Sequence, residues 1–557
     1  MKSFVALSFL TVVAGDLSAR QVAQQGRKES VEATPQERRV DSHLLRNILR
    51  RVSDPEDVCY GSFLDRDDVD ELFPRSTWSS SQSQKRDTVD ADKKVSSHVR
   101  DSHGQSLSLD RSNVFQELRS ESQTSDCTNT FWTPECLRRL YGVTDYEPSS
   151  SSGSRVAWAA FFGMGARYED VLQYEETYNI PRRNFTIEMV SGGSASQDIS
   201  DPAQRPNLHS TDLDAFDIVA LTKGRLPLLQ YSVGGMSPPY RPNAAGPTQD
   251  DNSNEPYLEL FEYMLGKTNE EVPQVLTMSF SDDEQTVPLE YAEQVCNAIG
   301  LLGLRGITVI QTLAGKGPGS VCLSNDGDER PEFTPQFPAS CPYITGVGEV
   351  NQSDPLVTWN ISSGGFSNLF PRPWYQEEAT ERYFENYADK DALEYYRPFF
   401  NRSGRASPDL SLMGFSPEYQ GDFTSPRPQP SGGTRGNAAW AGLVALLNDS
   451  RLRAGLPAMG FINPWLYKTG IRGLTDVTQG GSLGCMGENI QFHRPISGSQ
   501  RIPWVGWNAT EGWDPATGLG FPDFQRLQRL AMQIDVDRKK CPPRWWKYPW
   551  YWQTGIS

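Results

Sequence analysis

A carboxylate on the apolar side of a predicted helix is the first feature that could carry chemistry. Residues 210–221 (STDLDAFDIVAL) have helical spacing, and Leu213 and Asp217 fall on the apolar face. An acid there must be hydrogen-bonded or functional, because burying an unpaired charge is costly. Asp217 is therefore a candidate catalytic acid, with a satisfied core carboxylate as the alternative. Asp214 has a simpler interpretation, since Thr211 and Asp214 can form a capping box.

Two glycine-rich segments could hold a nucleophile or a ligand. Residues 431–448 (SGGTRGNAAWAGLVALLN) predict a tight turn into a helix, where a nucleophile gains exposure and the field of the helix N-terminus. From the residues alone, Thr434 as the N-cap of that helix is the favoured interpretation. Residues 311–319 (QTLAGKGPG) lack the GK[ST] spacing of a phosphate loop and predict only a loop.

Two further carboxylates, Asp476 and Asp514, lie near glycine-rich turns late in the chain. Carboxylates and backbone carbonyls suit a hard, oxygen-loving cation such as Ca²⁺. Two Asx-type turns explain the same pattern equally well.

The elements that must position these residues alternate between short apolar runs and helical stretches. The helical stretches begin near Tyr168 and span 288–304, and the apolar runs lie at 156–161, 275–280, 307–313 and 343–347. This alternation indicates an α/β fold, a parallel sheet with helices on both faces. Ligands of such sheets bind at the carboxyl ends of the strands, and a secreted domain of this kind is usually an enzyme.

Composition and charge exclude several classes of protein. The 557 residues carry a net charge of −17, which repels phosphate backbones, so nucleic acid is not expected as a partner. Residues 4–14 are an apolar run behind Lys2 that is too short to cross a bilayer, and no later stretch is long enough, so we expect no membrane segment. Residues 1–15 instead predict a signal peptide and a secreted, extracellular protein.

The cysteines and sequons agree with that compartment. Eight Cys without a CxxC pair or a nearby His favour disulfides over zinc. Six Asn-X-Ser/Thr sequons predict a glycoprotein, at Asn184, Asn351, Asn360, Asn401, Asn448 and Asn508. Residues 77–125 are rich in Ser, Asp and Lys and predict a linker, in which Lys85-Arg86 is either a dibasic cleavage site or only a charged patch.

Longer stretches of the chain resemble the sedolisins, the secreted serine-carboxyl peptidases, and most closely their fungal tripeptidyl-peptidase branch. The resemblance runs from about residue 44 to 530 and rests on these stretches: VSDPEDVCYG, DDVDELFPRS, TPECLRRLYGV, NEPYLELFEYML, SFSDDEQTVPLEYAEQVC, FTPQFPASCPYITGVG, GGFSNLFPRPWYQ, SGRASPDLS and GWDPATGLGFPDF. It implies a subtilisin-like fold, with a shortened α+β propeptide at 16–126 (core about 44–76) and a peptidase domain at 127–530. Composition adds a signal peptide at 1–15, the linker within the propeptide range and an aromatic tail at 531–557.

The resemblance also assigns site residues, and three of its four catalytic positions are altered. Asp217 matches the orienting Asp, but Leu213 stands where the family has its general-base Glu. Thr434 stands at the nucleophilic Ser, and Gly315 at the Asp of the oxyanion hole. The family's single Ca²⁺ site is kept, with carboxylates of Asp476 and Asp514 and carbonyls of Val477, Thr510 and Gly512.

Disulfides are implied in the same way. The family pairing predicts Cys127 with Cys136, Cys296 with Cys341 and Cys322 with Cys485, and it assigns no partner to Cys59 or Cys541.

Two functions follow from the altered positions. The first is a secreted pseudopeptidase, expected to be monomeric, that binds peptides or a protein partner through the inherited cleft. The second is a weak or altered acid peptidase of the tripeptidyl-peptidase type, in which a shifted register makes Asp214 the base and Asp217 its partner. A Ser/His/Asp-like site with His209 and Thr434 is a third, less favoured interpretation. With the first function, the propeptide stays attached or is cut near Asp87 by another enzyme.

Overall fold

The structure, a computed structural model, describes residues 39–77, 127, 133–198, 200, 211–313, 315–351, 355–414, 436–489, 494–534 and 538–548. The predicted signal peptide, nearly all of the predicted linker with Lys85-Arg86, His209 and the candidate nucleophile Thr434 lie outside the described residues. Within the described ranges, no helix is both long enough and apolar enough to cross a membrane.

Helices and strands alternate as the apolar runs predict. The helices are α1 Ser42–Ser53, α2 Arg66–Leu72, α3 Pro134–Leu140, α4 Tyr168–Thr177, α5 Asp212–Thr222, α6 Tyr257–Gly266, α7 Leu289–Leu304, α8 Glu377–Arg382, α9 Lys390–Tyr396, α10 Gly436–Arg453, α11 Asn463–Lys468 and α12 Phe524–Met532. The strands are β1 Val156–Phe161, β2 Thr186–Val190, β3 Leu228–Val233, β4 Val275–Met278, β5 Asp282–Asp283, β6 Thr308–Thr312, β7 Gln336–Phe337, β8 Thr345–Asn351, β9 Val357–Thr358, β10 Gly365–Pro371, β11 Gly404–Ser407, β12 Leu410–Met413, β13 Leu474–Thr475, β14 Glu488–Asn489, β15 Arg494–Pro495 and β16 Phe521–Pro522.

A parallel sheet forms the centre of the fold, in the order β12-β8-β6-β4-β1-β3-β2, with β9 antiparallel to β8 at one end. The predicted strands β1, β4, β6 and β8 are direct neighbours, which confirms the predicted α/β fold. Side chains of β1 alternate between the two faces. Trp158 belongs to the hydrophobic cluster that includes α5 and α10, whereas Ala159 belongs to the cluster that includes α6 and α7.

The sheet brings the candidate residues to one edge. Strand β4 ends at Met278, β6 ends at Thr312 and β12 ends at Met413. The chain therefore passes from these carboxyl ends into Ser279, into the Gly315 loop and, through undescribed residues, into α10. This is the edge at which parallel sheets bind ligands.

The amino-terminal segment, residues 39–77, packs on the same body. It contains α1, α2 and a short 3₁₀ turn at Arg75–Thr77 but no strand. The α+β character expected for the propeptide as a whole, residues 16–126, stays a prediction, because most of that range lies outside the described residues. The stretch between the two helices, residues 54–65, is instead a series of turns, in which the Asp57 carboxylate accepts hydrogen bonds from the backbone N–H of Cys59 and from Arg51.

All three implied disulfides are present, with sulfur–sulfur distances of 2.16 Å for Cys127–Cys136, 1.94 Å for Cys296–Cys341 and 2.08 Å for Cys322–Cys485. A fourth bond, unassigned by the sequence, joins Cys59 to Cys541 at 2.03 Å.

Candidate active site

Helix α5 carries the predicted acid, Asp217. The helix is buried on almost every side because it packs between α10, α3 and α4. Asp217 is 1% exposed, as predicted for a carboxylate on a buried face. The prediction for its neighbours is wrong in part. Leu213 is only partly buried, whereas Asp214 is 3% exposed. A helix that is apolar nearly all round has no single buried stripe, so helical spacing could not separate these two positions.

The predicted capping box does not form. Thr211 is the N-cap of α5 but makes no side-chain capping bond, and its hydroxyl accepts a hydrogen bond of 3.2 Å from Trp158 Nε1. Asp214 accepts a 2.6 Å hydrogen bond from Ser279 Oγ, the first residue after β4. The carboxylate of Asp214 is therefore directed at the carboxyl edge of the sheet.

Asn437 completes this group at the start of α10. Its Nδ2 lies 2.9 Å from Ser279 Oγ and 2.9 Å from Thr277 Oγ1, and it donates to the carbonyl of Met278 at 3.3 Å. Its amide oxygen is buried, and no described residue donates a hydrogen bond to it. Ser279 is partly exposed, so Asp214, Ser279 and Asn437 form a hydrogen-bonded chain that reaches the surface at the carboxyl edge.

The loop after β6 holds Gly315, which the resemblance aligns with the oxyanion Asp. Gly315 has a φ of 81°, a left-handed conformation that L side chains rarely adopt, and its N–H donates to the carbonyl of Ile361 at 3.0 Å. The next residue, Lys316, directs Nζ to Asp283 Oδ1 at 2.8 Å. Burial lowers the pKa of Lys316, but its interactions with Asp283 and nearby acids prevail and raise it, so Lys316 is a fixed cation at this edge.

Two more acids lie beside that cation. Glu255 is 9% and Asp282 is 6% exposed, and their side chains are hydrogen-bonded to each other. Burial raises the pKa of Glu255, and burial together with the charge of Glu255 raises the pKa of Asp282 well above its usual value. Two carboxyl groups in contact cannot both ionise easily, so this pair holds a proton.

The sequence did not identify Ser279, Asn437, Glu255, Asp282 or Asp283 as site residues. All of them except Asn437 lie in stretches that carry the family resemblance, and the acidic pair Asp282-Asp283, one residue after an apolar run, was an available signal. The contact of Asn437 with Ser279 joins positions 158 residues apart and could not be read from local pattern. Because Thr434 lies outside the described residues, the structure does not place the predicted nucleophile.

The predicted calcium ligands come together at a second location. Asp476 Oδ2 accepts a 2.7 Å hydrogen bond from the N–H of Gly512. Asp514 Oδ2 accepts one of 2.9 Å from the N–H of Thr510. Thr517 Oγ1 bridges Asp514 Oδ2 at 3.1 Å and the carbonyl of Val477 at 3.3 Å.

Two carboxylates without a cationic partner are the feature of this location that would suit a hard cation. Burial raises the pKa of Asp514 to about 7, against the opposing effect of N–H donors from Thr510, Thr517 and Ala516. Thr510 Oγ1 is buried, and none of the described groups forms a hydrogen bond with it. In the described ranges no Lys or Arg pairs with Asp476 or Asp514, and no three His, Cys, Asp or Glu side chains converge. Two carboxylates suffice for Ca²⁺ only if backbone carbonyls supply the other ligands.

Comparison with known proteins places the chain. No family model matches it. It is 46% identical to tripeptidyl-peptidase sed4 of Aspergillus fumigatus over 416 residues, which cover 75% of this chain and 69% of that protein. Tripeptidyl-peptidase SED2 of Arthroderma otae is 35% identical over 416 residues, 74% of this chain and 66% of that protein.

Among solved structures, a Pseudomonas sedolisin (serine-carboxyl proteinase) complexed with two molecules of pseudo-iodotyrostatin matches 72% of this chain and 98% of its own, with 18% identity and a TM-score of 0.48. The Aspergillus relative carries the assignment, since it is 46% identical and the alignment covers 69% of its length. The chain belongs to the sedolisin family of tripeptidyl-peptidases.

Proposed function

We propose that this protein is a secreted sedolisin whose catalytic site is degraded and which binds a peptide or protein ligand at the carboxyl edge of its sheet. The Gly315 loop is the observation that carries the proposal. Where the resemblance expects a carboxylic acid to help bind an oxyanion, this chain has a glycine without a side-chain donor. Losing one such donor typically slows catalysis by about 10²–10³.

The neighbouring cation does not replace that donor. Lys316 Nζ is bound to Asp283 at 2.8 Å, and Asp283 Oδ2 also accepts a hydrogen bond from Ser320 Oγ at 3.2 Å. An oxyanion would have to compete with a carboxylate for this ammonium. The charge of Lys316 is therefore compensated before any substrate arrives.

The general base is also lost. Leu213 has no ionisable group, and a base must be within hydrogen-bond reach of the nucleophile's proton. The general base and the oxyanion donor act in the same reaction, so the effects of losing them on the rate are not additive. Together the two losses should leave little activity. What remains among the described residues at this edge is a set of polar groups suited to binding: the partly exposed Ser279, the amide of Asn437 and the charged Lys316–Asp283 pair.

A restoration experiment tests the proposal. Purified protein is assayed with casein and with a tripeptide substrate from about pH 3 to 7, the range in which carboxylates titrate. We expect no hydrolysis above that of Thr434→Ala, and measurable hydrolysis only in the triple variant Leu213→Glu, Gly315→Asp, Thr434→Ser. Binding of a fluorescent peptide mixture by the unaltered protein, weakened by Lys316→Met, is expected. Activity of the unaltered protein that disappears in Thr434→Ala would overturn the proposal.

One observation favours a weak peptidase as the second candidate. Asp214, the shifted base of the sequence interpretation, accepts a 2.6 Å hydrogen bond from a hydroxyl at the carboxyl edge. If Asp214 is the base, Asp214→Asn abolishes hydrolysis. Asp212→Asn leaves hydrolysis unchanged, because the Asp212 carboxylate instead accepts a hydrogen bond from the N–H of Arg167 at 2.8 Å. Loss in both variants, or in neither, removes Asp214 as the base.

Secretion and glycosylation belong to the same proposal. The four disulfides among the described residues support an oxidising compartment. Five of the sequon asparagines are at least partly exposed, but Asn448 is fully buried and its Oδ1 accepts the N–H of Met459 at 2.8 Å. A glycan at Asn448 is incompatible with this fold, so that sequon is excluded from the predicted set.

The proposal includes one Ca²⁺ held by Asp476 and Asp514 with carbonyls of Val477, Thr510 and Gly512. Its support is that the buried Asp514 and the exposed Asp476 lie on adjoining loops without a Lys or Arg partner among the described residues. When bound, the ion would supply charge neutralisation to these loops, and it would take no part in bond cleavage.

A further inference from the structure

The amino-terminal segment, residues 39–77, is bonded to the tail segment, residues 538–548. Cys59 and Cys541 form a disulfide although 482 positions separate them in the chain. The guanidinium of Arg51 lies 5.3 Å from the ring centre of Trp545, a cation–π contact. The tail thus holds the amino-terminal segment by a covalent bond and by side-chain contacts.

An ion pair also joins the same two segments. Lys547 Nζ lies 2.7 Å from the carboxylate of Glu71, next to the end of α2. Trp545 itself is 1% exposed and belongs to the same hydrophobic cluster as α1. The tail segment therefore contacts the amino-terminal segment at Trp545 and Lys547 as well as at the disulfide.

The amino-terminal segment is a layer of the hydrophobic core. One face of α1 is completely buried, at Leu45, Ile48, Leu49 and Val52. It packs on α7, where a Cβ at Gly300 would lie 2.9 Å from Leu45 Cδ2 and a Cβ at Gly303 would lie 3.0 Å from Leu49 Cδ1. The glycines of α7 are what allow α1 to approach so closely. Removing the segment would expose this face of α7 to water.

The segment also lies at the opposite edge of the sheet from the candidate site. The N–H of Leu64 donates to the carbonyl of Leu304 at 2.9 Å, at the end of α7 that leads into β6. The carbonyl of Leu64 accepts from Asn269 Nδ2 at 3.0 Å, shortly before β4 begins. These are the amino ends of strands whose carboxyl ends lead to Ser279 and Lys316. Leu64 therefore holds this part of the segment at the amino edge of the sheet.

We propose that the amino-terminal segment is a permanent part of the working protein, so that cleavage between residues 77 and 127 produces two chains joined by Cys59–Cys541. Hydrolysis of a peptide bond consumes one water and leaves a carboxylate and an amine, and it does not alter the sulfur–sulfur bond. The processed form is thus a disulfide-linked protein of two chains. This inference is independent of whether the site is catalytic.

Controlled cleavage tests the covalent part. A recognition sequence for a site-specific protease is inserted after Gly104, and the full-length protein is cut at that site alone. On a denaturing gel without reductant we expect one species of unchanged mobility, and with reductant two fragments. The variant Cys59→Ala, Cys541→Ala should give two fragments without reductant, whereas Cys127→Ala, Cys136→Ala should still give one. Separation of the fragments in the unaltered protein without reductant would overturn the proposal.

A second measurement tests the core layer apart from the disulfide. The cut Cys59→Ala, Cys541→Ala variant is passed over a gel-filtration column under native conditions. We expect the fragment to co-elute with the body. Conditions that dissociate the fragment should also lower the Tm of the body by more than about 5 °C and increase its binding of an apolar dye. A body that loses the fragment and keeps its Tm would show that the segment is removable.

Discussion

At the scale of single residues, the backbone of Gly315 favours glycine in the loop after β6. Its φ of 81° is easy for glycine and strained for any L side chain. We expect Gly315→Ala to reduce the free energy of unfolding by about 1–2 kcal/mol. Gly266 is the control, because its φ is not in the left-handed region and an added Cβ would meet no atom within 4 Å. Equal urea midpoints for Gly315→Ala and Gly266→Ala would contradict this prediction.

The Glu255–Asp282 pair gives the stability a defined dependence on pH. Burial raises the pKa of both groups above their values of about 4 in the unfolded chain. Between pH of about 4 and the raised pKa values of the folded protein, the folded state binds more protons than the unfolded state. Stability therefore falls as the pH rises through this range. We expect Asp282→Asn to flatten this fall in Tm, while Asp328→Asn, at an exposed loop, leaves it intact. A steeper fall in Asp282→Asn would refute the assignment.

The same scale shows what residue patterns can reveal. Helical spacing correctly buried Asp217, but it could not say that Asp214 meets Ser279, because that contact joins α5 to the end of β4 across 65 positions. The partner of Cys59 was equally hidden, since the family pairing offered none. Contacts of this kind depend on the order of strands in the sheet, which local sequence does not encode.

At the scale of elements, the apolar runs predicted the central strands well. Residues 156–161 coincide with β1. The apolar run 275–280 forms a strand only as far as Met278, and the next residue, Ser279, donates a hydrogen bond to Asp214. Strand β2 was not predicted. It lies at the edge of the sheet, pairs with β3 alone and exposes 58% of Met189, so it lacks the continuous apolar run of a buried strand.

Helix packing supplies the prediction at this scale. A side chain at Gly300 would meet Leu45 and Tyr343 at 2.9 Å, so Gly300→Val should push α1 away from α7. We expect a loss of about 1–3 kcal/mol in the free energy of unfolding, the range of overpacked cores. Hydrogen exchange of the α1 amides should accelerate in this variant. Gly266→Val, with open space around it, serves as the control, and equal exchange in the two variants would contradict the packing argument.

At the scale of the whole molecule, the proposed cation should stabilise the fold. An ion that binds only the folded state adds about 2.7 kcal/mol at 100 times its Kd. We therefore expect an excess of chelator to lower Tm and added Ca²⁺ to restore it. Asp476→Ala should abolish this response and Asp328→Ala should retain it. A Tm that chelator does not change would show that the site binds no ion under these conditions.

The bond between Cys59 and Cys541 also sets an order of events during biosynthesis. At about 5–20 residues per second, Cys541 is made roughly 24 to 96 seconds after Cys59, because 482 positions separate them. Cys127 and Cys136 emerge within that interval and are the first thiols that Cys59 can meet. The native partner of Cys59 is thus the last of the eight cysteines to be synthesised. Formation of the correct bond must wait for the end of translation, and it benefits from an isomerase that undoes earlier pairings.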